Sequence, residues 1–271
     1  MQNQLQNSRF SGLQRVYGRE ATTIIPDLKI CVVGIGGVGS WAAEVLARSA
    51  VGELLLIDPD EIVESNTNRQ VHTLQSSFGD SKVLTMQQRI GLINPDCNCR
   101  VVDDMLVEAN MERYITDDLD YVIDAIDSIR FKAALINFCR RRKIRLITTG
   151  GAGGRIDPAA VATADLSRTW NDALAAKVRS RLRANYGYSR NPKRRFGVEC
   201  VFSCEQPVYP GGNGDITQSK PGVPGATLDC ESGYGSCAPV TATFGMIAAA
   251  QALNKSLAQR LGVASLRSGK D

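Results

Sequence analysis

Short apolar runs alternate with amphipathic stretches through the first half of the chain. The apolar runs predict strands at 29–34, 53–58, 100–102, 121–124 and 145–149. The stretches between them predict helices at about 38–50, 80–93 and 128–143, and an Asn-Pro pair ends the second of these helices. Strands that alternate with helices are typical of βαβ units. The pattern therefore predicts an α/β fold, with a Rossmann-like, doubly wound and mostly parallel sheet.

The second half of the chain is less regular. Two further β-like runs, 160–165 and 198–203, flank a basic insertion at 166–197 that is predicted to be helical. A segment rich in glycine and proline follows, and we predict a mobile loop over 209–233 because it shows no apolar periodicity. A last apolar stretch predicts a buried helix over 241–261. These features are expected to form a C-terminal elaboration of a single domain, 1–271.

The composition is ordinary for a globular protein, with 43% hydrophobic and 22% charged residues. The N-terminal segment MQNQLQNSRFSG lacks the apolar region of a signal peptide. The 8 cysteines form no compact spaced framework, and a chain of 271 residues needs no disulfides to fold. The apolar stretch 238–253 is interrupted by polar residues and falls short of the roughly 20 residues of a membrane span. We therefore expect a cytoplasmic protein without stable membrane insertion.

A glycine-rich turn joins the first predicted strand to the first predicted helix. It contains Gly34, Gly36, Gly37 and Gly39. Glycines allow a tight turn and close backbone approach to phosphate, while the helix N-terminus offers amide donors. Asp58 ends the second strand, where a carboxylate can accept hydrogen bonds from ribose hydroxyls. The turn therefore indicates nucleotide binding, but it does not distinguish a dinucleotide from ATP.

Further polar residues follow successive strands and favour a polyphosphate. Asn66 and Arg69 supply an amide and a guanidinium, and Lys82 adds a mobile point charge. Asp127 follows the fourth strand and is placed to hold Mg²⁺, although it could instead be the N-cap of the next helix. Arg69 and Lys82 could likewise be ordinary surface charges. The candidate nucleotide-binding residues are Gly34, Gly36, Gly37, Gly39, Asp58, Asp60, Asn66, Arg69, Lys82 and Asp127, and the expected cofactors are ATP and Mg²⁺.

These residues together resemble the pattern of the ubiquitin-activating-enzyme superfamily, in which bacterial ThiF-type members adenylate the C-terminus of sulfur-carrier proteins. The resemblance extends over about 9–261. Longer stretches are more similar to one branch, the tRNA threonylcarbamoyladenosine dehydratases, among them CVVGIGGVGSWAAEVLAR, YVIDAIDSIRFKAALI, TTGGAGGRIDP and LDCESGYGS.

The resemblance implies a reaction on tRNA. In that branch, ATP adenylates the carboxylate of the threonylcarbamoyl group on an adenosine beside the anticodon. Intramolecular attack then expels AMP and closes a ring, which is a net dehydration. A free carboxylate is a poor acyl donor, whereas an acyl-adenylate has a good leaving group. Catalysis then depends on positioning of the reactants and on neutralisation of charge at the α-phosphate.

The resemblance also implies individual roles. The glycines shape the phosphate turn and Asp58 holds the ribose. Asn66, Arg69 and Lys82 hold phosphates, and Asp127 serves the metal and the departure of pyrophosphate. The superfamily further implies a homodimer in which an N-terminal arginine, here Arg15 or Arg9, reaches into the partner subunit's site.

Cysteine and histidine side chains offer additional candidates. Cys200, Cys204, Cys230 and Cys237 depart from paired C-x₂-C zinc motifs, but four thiolates in the last third of the chain could still meet around zinc. Cys230 could reach an acyl-adenylate or carry sulfur, with a cysteine desulfurase or sulfur-acceptor protein as partner, or it could be an inert small residue. His72, the only histidine, is expected to be a partly buried residue near the nucleotide loop.

The basic insertion indicates an RNA partner. Between 177 and 195 it contains many cations and no acidic residue. The candidate RNA-binding residues are Arg179, Arg183, Arg190, Lys193, Arg194 and Arg195. Tyr186, Tyr188 and Phe196 lie among them and are predicted to be available for base stacking. A solvated helix face is the alternative, but dense like charges repel one another unless a polyanion is bound.

Three other functions are compatible with parts of this pattern. Adenylation of a sulfur-carrier protein needs the same nucleotide site but has no evident need for the basic insertion. A non-catalytic, nucleotide-gated RNA-binding protein would bind ATP without turnover. An NAD-dependent dehydrogenase would use the same glycine turn. The leading prediction is the tRNA-modifying, ATP-dependent dehydratase.

Overall fold

A computed structural model describes residues 8–211, 214–219 and 235–266, and a seven-stranded sheet is its central feature. The strands are β1 (Lys29–Val33), β2 (Glu53–Ile57), β3 (Asn98–Val102), β4 (Tyr121–Asp124), β5 (Leu146–Thr149), β6 (Val161–Asp165) and β7 (Glu199–Ser203). Their order is β3-β2-β1-β4-β5-β7-β6, with β6 antiparallel to β7 and the other neighbours parallel. The strand order reverses between β1 and β4, which is the point where doubly wound sheets bind ligands. The predicted α/β class and mostly parallel sheet are confirmed.

The helices flank this sheet. They are α1 (Ser11–Ile24), α2 (Gly39–Arg48), α3 (Lys82–Ile93), α4 (Met111–Tyr114), α5 (Ile129–Arg142), α6 (Ala173–Asn185) and α7 (Ala238–Arg260). The helices predicted at 38–50, 80–93, 128–143 and 241–261 correspond to α2, α3, α5 and α7. The sequence analysis did not predict α1 or α4. The polar N-terminal segment hides α1, since only Ala21 and Thr22 of this helix are buried.

Both faces of the sheet are covered, and successive strand residues alternate between them. Ile30 and Val32 of β1 contribute to a core shared with α2, α3 and α7. Cys31 and Val33 contribute to a second core shared with α5. Because alternate residues point to opposite faces, a strand that is buried on both sides appears in the sequence as a continuous apolar run. The predicted buried strands therefore sit at the centre of three layers.

Helix α7 packs tightly on α2. A Cβ atom at Gly245 would lie 2.4 Å from the carbonyl oxygen of Val38, so only glycine allows this approach. The contact holds the start of α2 in place beside the glycine turn. No helix within the described ranges is both long and apolar enough to cross a membrane.

The C-terminal half only partly matches the predicted elements. The insertion at 166–197 contains a short 3-10 helix (Leu166–Arg168) and α6, and an irregular segment follows from Tyr186 to β7. Where the sequence predicted a loop at 209–233, β8 (Tyr209–Pro210) and β9 (Ile216–Thr217) form a short antiparallel ladder. Residues 212–213 and 220–234 of that predicted loop lie outside the described residues.

Candidate active site

Two glycines of the turn are required by packing within the protein. Gly34 has a φ of +87°, and a Cβ atom there would lie 2.8 Å from the carbonyl oxygen of Ala125. A Cβ atom at Gly39 would lie 1.7 Å from the carbonyl oxygen of Gly34. These glycines let the turn close on itself and on the loop that follows β4.

The other two glycines leave an open cradle. A Cβ atom at Gly36 would have its nearest neighbour, Nε2 of Gln70, at 3.9 Å, and one at Gly37 would lie 3.2 Å from Cγ of Arg69. No protein backbone therefore demands glycine at either position. The space over Gly36 is available to a ligand, whereas the side chains of Arg69 and Thr241 crowd Gly37. The side chains of Arg69 and Gln70 border that space.

Gln70 is a site residue that the sequence analysis missed. Its side chain is only 6% exposed, and its Oε1 atom has no hydrogen-bond partner among the described residues. A buried amide without a partner beside an open glycine cradle fits a nucleotide, which supplies donors and acceptors. The sequence feature that could have indicated Gln70 as a site residue is its position directly after Arg69.

Asp58 lies at the carboxyl end of β2 with both oxygens oriented by backbone amides. Oδ2 accepts a hydrogen bond from the Ile35 amide at 2.6 Å, and Oδ1 accepts one from the Asp60 amide at 2.9 Å. Burial raises the pKa of Asp58, while the charge of Lys82 and the two amides oppose that rise. Each oxygen keeps acceptor capacity for another donor, which suits the ribose hydroxyls expected from the sequence.

Lys82 begins α3 and points into the same site. Its Nζ atom lies 2.7 Å from Oδ2 of Asp60 and 4.0 Å from Oδ1 of Asp58. The residue is 6% exposed, so the alternative of a solvated surface charge is wrong for Lys82. The structure holds this ammonium group between two carboxylates, and Asp60, also a predicted site residue, is its direct partner.

Asn66 shapes the turn that carries Arg69. Its Oδ1 atom accepts a hydrogen bond from the Val63 amide at 3.2 Å, and its carbonyl oxygen accepts from the amides of Arg69 at 3.1 Å and Gln70 at 3.0 Å. The Asn-x-x-Arg motif is therefore a local structural unit as well as a set of candidate phosphate ligands.

The backbone of Arg69 is anchored, and the residue is half-buried. The indole nitrogen of Trp41 on α2 donates to the Arg69 carbonyl oxygen at 2.9 Å. The Nη1 atom of Arg69 donates to the Ser65 carbonyl oxygen at 2.6 Å and to Oδ1 of Asn68 at 3.0 Å. The guanidinium is thus held beside the cradle with donors still available to a phosphate.

Asp127 lies in the loop that follows β4. Asp127 is exposed, and the N-cap position of α5 is Ser128, so the alternative role of Asp127 as an N-cap is wrong. Asp124, three residues earlier, is fully buried, with Oδ1 3.0 Å from Nζ of Lys132 and Oδ2 accepting from Thr148 at 2.7 Å. Burial raises the pKa of Asp124, and Lys132 opposes that rise. The buried pair anchors the loop and leaves Asp127 as its accessible carboxylate.

The side chains near the glycine turn suit Mg²⁺ only when a bound nucleotide supplies further oxygen ligands. Within the described residues, no three or more His, Cys, Asp or Glu side chains are grouped as a metal site. Mg²⁺ commonly takes one or two carboxylates and completes its shell with phosphate oxygens and water. A single accessible carboxylate at Asp127 is compatible with that mode.

The two N-terminal arginines differ in their contacts. Arg9 donates from Nη1 to the carbonyl oxygens of Ile93 at 2.9 Å and Leu92 at 3.4 Å, so it caps the C-terminus of α3. Arg15 lies on the exposed face of α1. Of the two predicted candidates, the structure therefore leaves Arg15 available to reach another subunit.

Among the described residues, Cys200, Cys204 and Cys237 are not grouped as a metal site. Cys200 is fully buried, and burial raises the pKa of its thiol. The Sγ atom of Cys237 donates to the Arg155 carbonyl oxygen at 3.4 Å. Cys230, the candidate nucleophile, lies outside the described residues. His72 is 1% exposed, which confirms its expected burial, and its ring nitrogens have no hydrogen-bond partner among the described side chains and backbone groups.

The cations of the basic insertion fall into two groups. Arg190, Lys193, Arg194 and Arg195 are exposed. Arg179 is half-buried and donates to Oγ1 of Thr169, and Arg183 lies over the ring of Phe196 with 5.3 Å to its centroid. The predicted RNA-binding face therefore has an exposed part and an inward-facing part.

The predicted stacking role of Phe196 is wrong. Phe196 is 2% exposed and contacts Tyr188 edge to face at 5.0 Å, while Arg140 lies 5.1 Å from the Tyr188 centroid. These rings are occupied by contacts within the protein. An alternating basic and aromatic sequence predicted exposure, but the apolar surface of the sheet and α5 buries the rings instead.

The fold and the site together define an α/β nucleotide-binding protein whose glycine turn is bordered by groups suited to a polyphosphate. The chain belongs to the ThiF family, whose model matches residues 8–265. It is 50% identical over 252 residues to the tRNA threonylcarbamoyladenosine dehydratase of Escherichia coli strain K12, and the match spans 93% of this chain and 94% of that one.

Solved structures extend this likeness to the whole fold. The crystal structure of the E. coli tRNA N6-threonylcarbamoyladenosine dehydratase in complex with ATP covers 99% of this chain and 100% of that one, with a TM-score of 0.85 and 45% identity. The AMP complex of the same enzyme covers 96% of this chain and 99% of that one, with a TM-score of 0.84 and 44% identity.

Proposed function

We propose that this protein is an ATP-dependent dehydratase that adenylates the carboxylate of threonylcarbamoyladenosine in tRNA and then cyclises that group with release of AMP. The observation that carries the proposal is the open glycine cradle bordered by Arg69 and Gln70, in a chain similar over 99% of its length to a dehydratase bound to ATP. The 50% identity to a named dehydratase supports the tRNA substrate.

The turn binds ATP through its backbone and its neighbours. Gly36 and Gly37 let the phosphates approach the backbone amides at the start of α2. The two oriented oxygens of Asp58 accept from the ribose hydroxyls. Arg69 and Lys82 contact the phosphates, and Lys82 exchanges its ion pair with Asp60 for a phosphate oxygen.

The chemistry consists of two substitutions. A carboxylate oxygen of the substrate attacks the α-phosphorus of ATP, and pyrophosphate leaves. An atom of the same threonylcarbamoyl group then attacks the activated carbonyl carbon, the ring closes, and AMP leaves with the former carboxylate oxygen. Arg69 and Lys82 stabilise the charge that develops on the phosphates, which is the step where fixed cations contribute most.

Asp127 is the residue that would hold Mg²⁺. Bound there, the ion would neutralise negative charge on the phosphate oxygens and favour the departure of pyrophosphate. Asp124 and Lys132 keep in place the loop that carries Asp127.

The exposed cations of the basic insertion bind the tRNA backbone. Arg190, Lys193, Arg194 and Arg195 attract phosphates without selecting a sequence. A tRNA substrate places the reaction in the cytoplasm. We further propose a homodimer in which Arg15 reaches the site of the partner subunit.

A sulfur-carrier protein is the second candidate substrate, because its activation would use the same cradle. The exposed basic segment and the 50% identity to a tRNA-modifying enzyme favour tRNA over a protein tail. ATP–pyrophosphate exchange that depends on a sulfur carrier and ignores tRNA would reverse this preference.

The deciding experiment is nucleoside analysis of threonylcarbamoylated tRNA after incubation with the purified protein, with and without ATP and Mg²⁺. We expect the cyclised nucleoside and one equivalent of AMP only when ATP is present. Absence of both products from folded, ATP-binding protein would refute the proposed function.

A further inference from the structure

A separate cavity lies beside the nucleotide cradle, between the segment after β7 and the start of α6. Its volume is about 450 Å³, within the roughly 300–1,000 Å³ range of small-ligand sites. The residues of its wall that matter here are Asn171, Asp172, Arg179, Gln206, Tyr209 and Gln218.

The cavity and the cradle share one edge of the sheet. Only β5 separates β7 from β4, and parallel strands lie roughly 4.8 Å apart, so the cavity lies about 10 Å across the sheet from the end of β4 and the loop that carries Asp127. The glycine turn after β1 lies one strand further. The Gly151 amide, just beyond β5, donates to Oδ2 of Asp172 at 3.0 Å. Thr148 of β5 donates to Asp124 at the end of β4. A molecule in the cavity can therefore extend a short polar tail to the loop that carries Asp127.

An exposed tryptophan directly precedes Asn171, a residue of the cavity wall. Trp170 is 51% exposed, and it is the only aromatic residue among the large exposed hydrophobic residues in the described part of the chain. Its ring contacts the fully buried Phe202 edge to face, with centroids 4.7 Å apart. About half of the tryptophan surface stays exposed in this arrangement, which leaves aromatic surface for a stacking partner.

The turn that presents Trp170 is rigidly built. The next residue, Asn171, has a φ of +52°, in the left-handed region that costs energy for a residue other than glycine. Its Nδ2 atom donates to the Cys204 carbonyl oxygen at 2.9 Å, and its own carbonyl oxygen accepts from the buried Arg155. Strain that the surrounding structure maintains is found most often at functional sites.

The groups around the cavity suit a nucleobase. An indole face stacks on any base, and the exposed side-chain amides of Gln206 and Gln218 offer both donors and acceptors to base edges. Arg179 adds a positive charge, and the exposed cations that follow α6 lie on the same segment of chain.

We propose that this cavity receives the base of the modified adenosine, extruded from the tRNA and stacked on Trp170, so that its threonylcarbamoyl carboxylate extends to the cradle. This inference rests on the proposed function and adds the site that positions the RNA. It also supplies the aromatic contact that Phe196 cannot, because Phe196 is buried.

The test compares tRNA binding by Trp170→Ala, Trp170→Phe and the wild type. Met105→Ala is the matched control, since Met105 is 46% exposed and follows β3 at the opposite edge of the sheet. We expect Trp170→Ala to weaken the binding of threonylcarbamoylated tRNA about ten- to hundredfold, as for loss of one stacked base. Trp170→Phe and Met105→Ala should stay close to wild type.

Two further measurements distinguish base stacking from electrostatic attraction and from a general disturbance of the nucleotide site. The dependence of affinity on salt should keep its wild-type slope in Trp170→Ala, because stacking releases no counterions. The KM for ATP should be unchanged. Unaltered tRNA affinity in Trp170→Ala, an equal loss in Trp170→Phe, or a matching loss of ATP binding would overturn the inference. A wild-type protein that binds tRNA but forms no cyclised nucleoside would instead count against the proposed function.

Discussion

The Nζ atom of Lys82 lies 2.7 Å from Oδ2 of Asp60 and 4.0 Å from Oδ1 of Asp58, the carboxylate that binds the Ile35 amide of the glycine turn. Lys82 is buried, whereas the side chain of Asp60 is 63% exposed. A buried cation whose main partner is a mobile surface carboxylate can exchange that partner for a phosphate at little cost. The pair therefore keeps the ammonium group in position for ATP without holding it permanently.

Replacing Lys82 should abolish adenylation. We expect Lys82→Ala to lower ATP-dependent AMP formation by roughly a hundredfold or more, because one fixed donor to developing charge typically contributes that much. Lys255→Ala is the matched control, since Lys255 forms a similar ion pair, 2.6 Å from Glu199, at the amino end of β7. Circular dichroism should show both variants folded. A Lys82→Ala rate close to that of the wild type would remove Lys82 from the site.

Arg15 should act in the site of the partner subunit. Arg15→Ala and Asp127→Ala are each expected to be inactive, but mixing and re-equilibrating the two should restore about a quarter of wild-type activity. Roughly half of the dimers then contain both chains, and each of these has one complete site. If Arg15 acted within its own subunit, the mixture would stay inactive. Arg9→Ala, which removes the cap of α3, should lower the melting temperature instead.

The exposed arginines of the basic insertion should contribute to tRNA affinity through salt-dependent contacts. Arg194→Ala/Arg195→Ala is expected to weaken tRNA binding and to reduce the slope of log K against log salt by about 0.9 for each phosphate that is no longer neutralised. The control is Arg100→Ala/Arg113→Ala, two cations near β3 at the far edge of the sheet. Filter binding across a salt series measures both quantities, and an unchanged slope in the first variant would contradict the assignment.

His72 should make the protein sensitive to acid. Burial, together with the charges of Lys82 and Arg89, lowers the pKa of His72 from 6.5 to about 4 in the folded chain. The unfolded chain then binds more protons than the folded one between these values, so stability is lost as the pH falls from 6.5 towards 4. The loss attributable to His72 is roughly 3 kcal/mol, from about 1.4 kcal/mol per pKa unit.

The measurement is urea unfolding of the wild type and His72→Leu at about pH 7 and about pH 4. We expect the variant to lose less stability than the wild type over this range, by roughly the amount above. Other titrating groups such as Glu44 remain in both proteins and cancel in the comparison. Equal losses in the two proteins would show that His72 does not titrate in the folded chain at these pH values.

The strands and the glycine turn were predictable because their signals are local. A continuous apolar run with the length of β1, followed by closely spaced glycines, predicts a buried strand and a tight turn. The regular spacing of helices between the other strands supports that prediction. Helix α1 was missed although Leu13, Tyr17 and Ile24 recur at helical spacing and pack against the core, because these three residues are only partly buried in a mostly polar segment. Gln70 was missed because an amide has no distinctive pattern until the fold places it against the cradle.

The pattern of charged and aromatic residues in the basic insertion did not predict which of their side chains are exposed. Arg179, Arg183 and Phe196 share the basic stretch with Arg194 and Arg195, but only the last two are exposed among these five. The first three contact α6, its preceding turn or the core beneath it. Burial of a long or aromatic side chain depends on the surface it meets, which sequence spacing does not describe.

The order of residues was enough to establish the α/β class, the glycine turn and the residue types gathered after successive strands, since parallel strands bring their carboxyl ends to one edge. The contacts of those groups became apparent in the folded chain. Lys82 is paired with Asp60, Asp127 has no capping role, Arg9 is bound to α3, and Trp170 is exposed. Each of these outcomes depends on which surfaces meet between segments distant along the chain, within the described part of the molecule. Packing and burial determine which of these segments come into contact, and local patterns of residues do not encode those contacts.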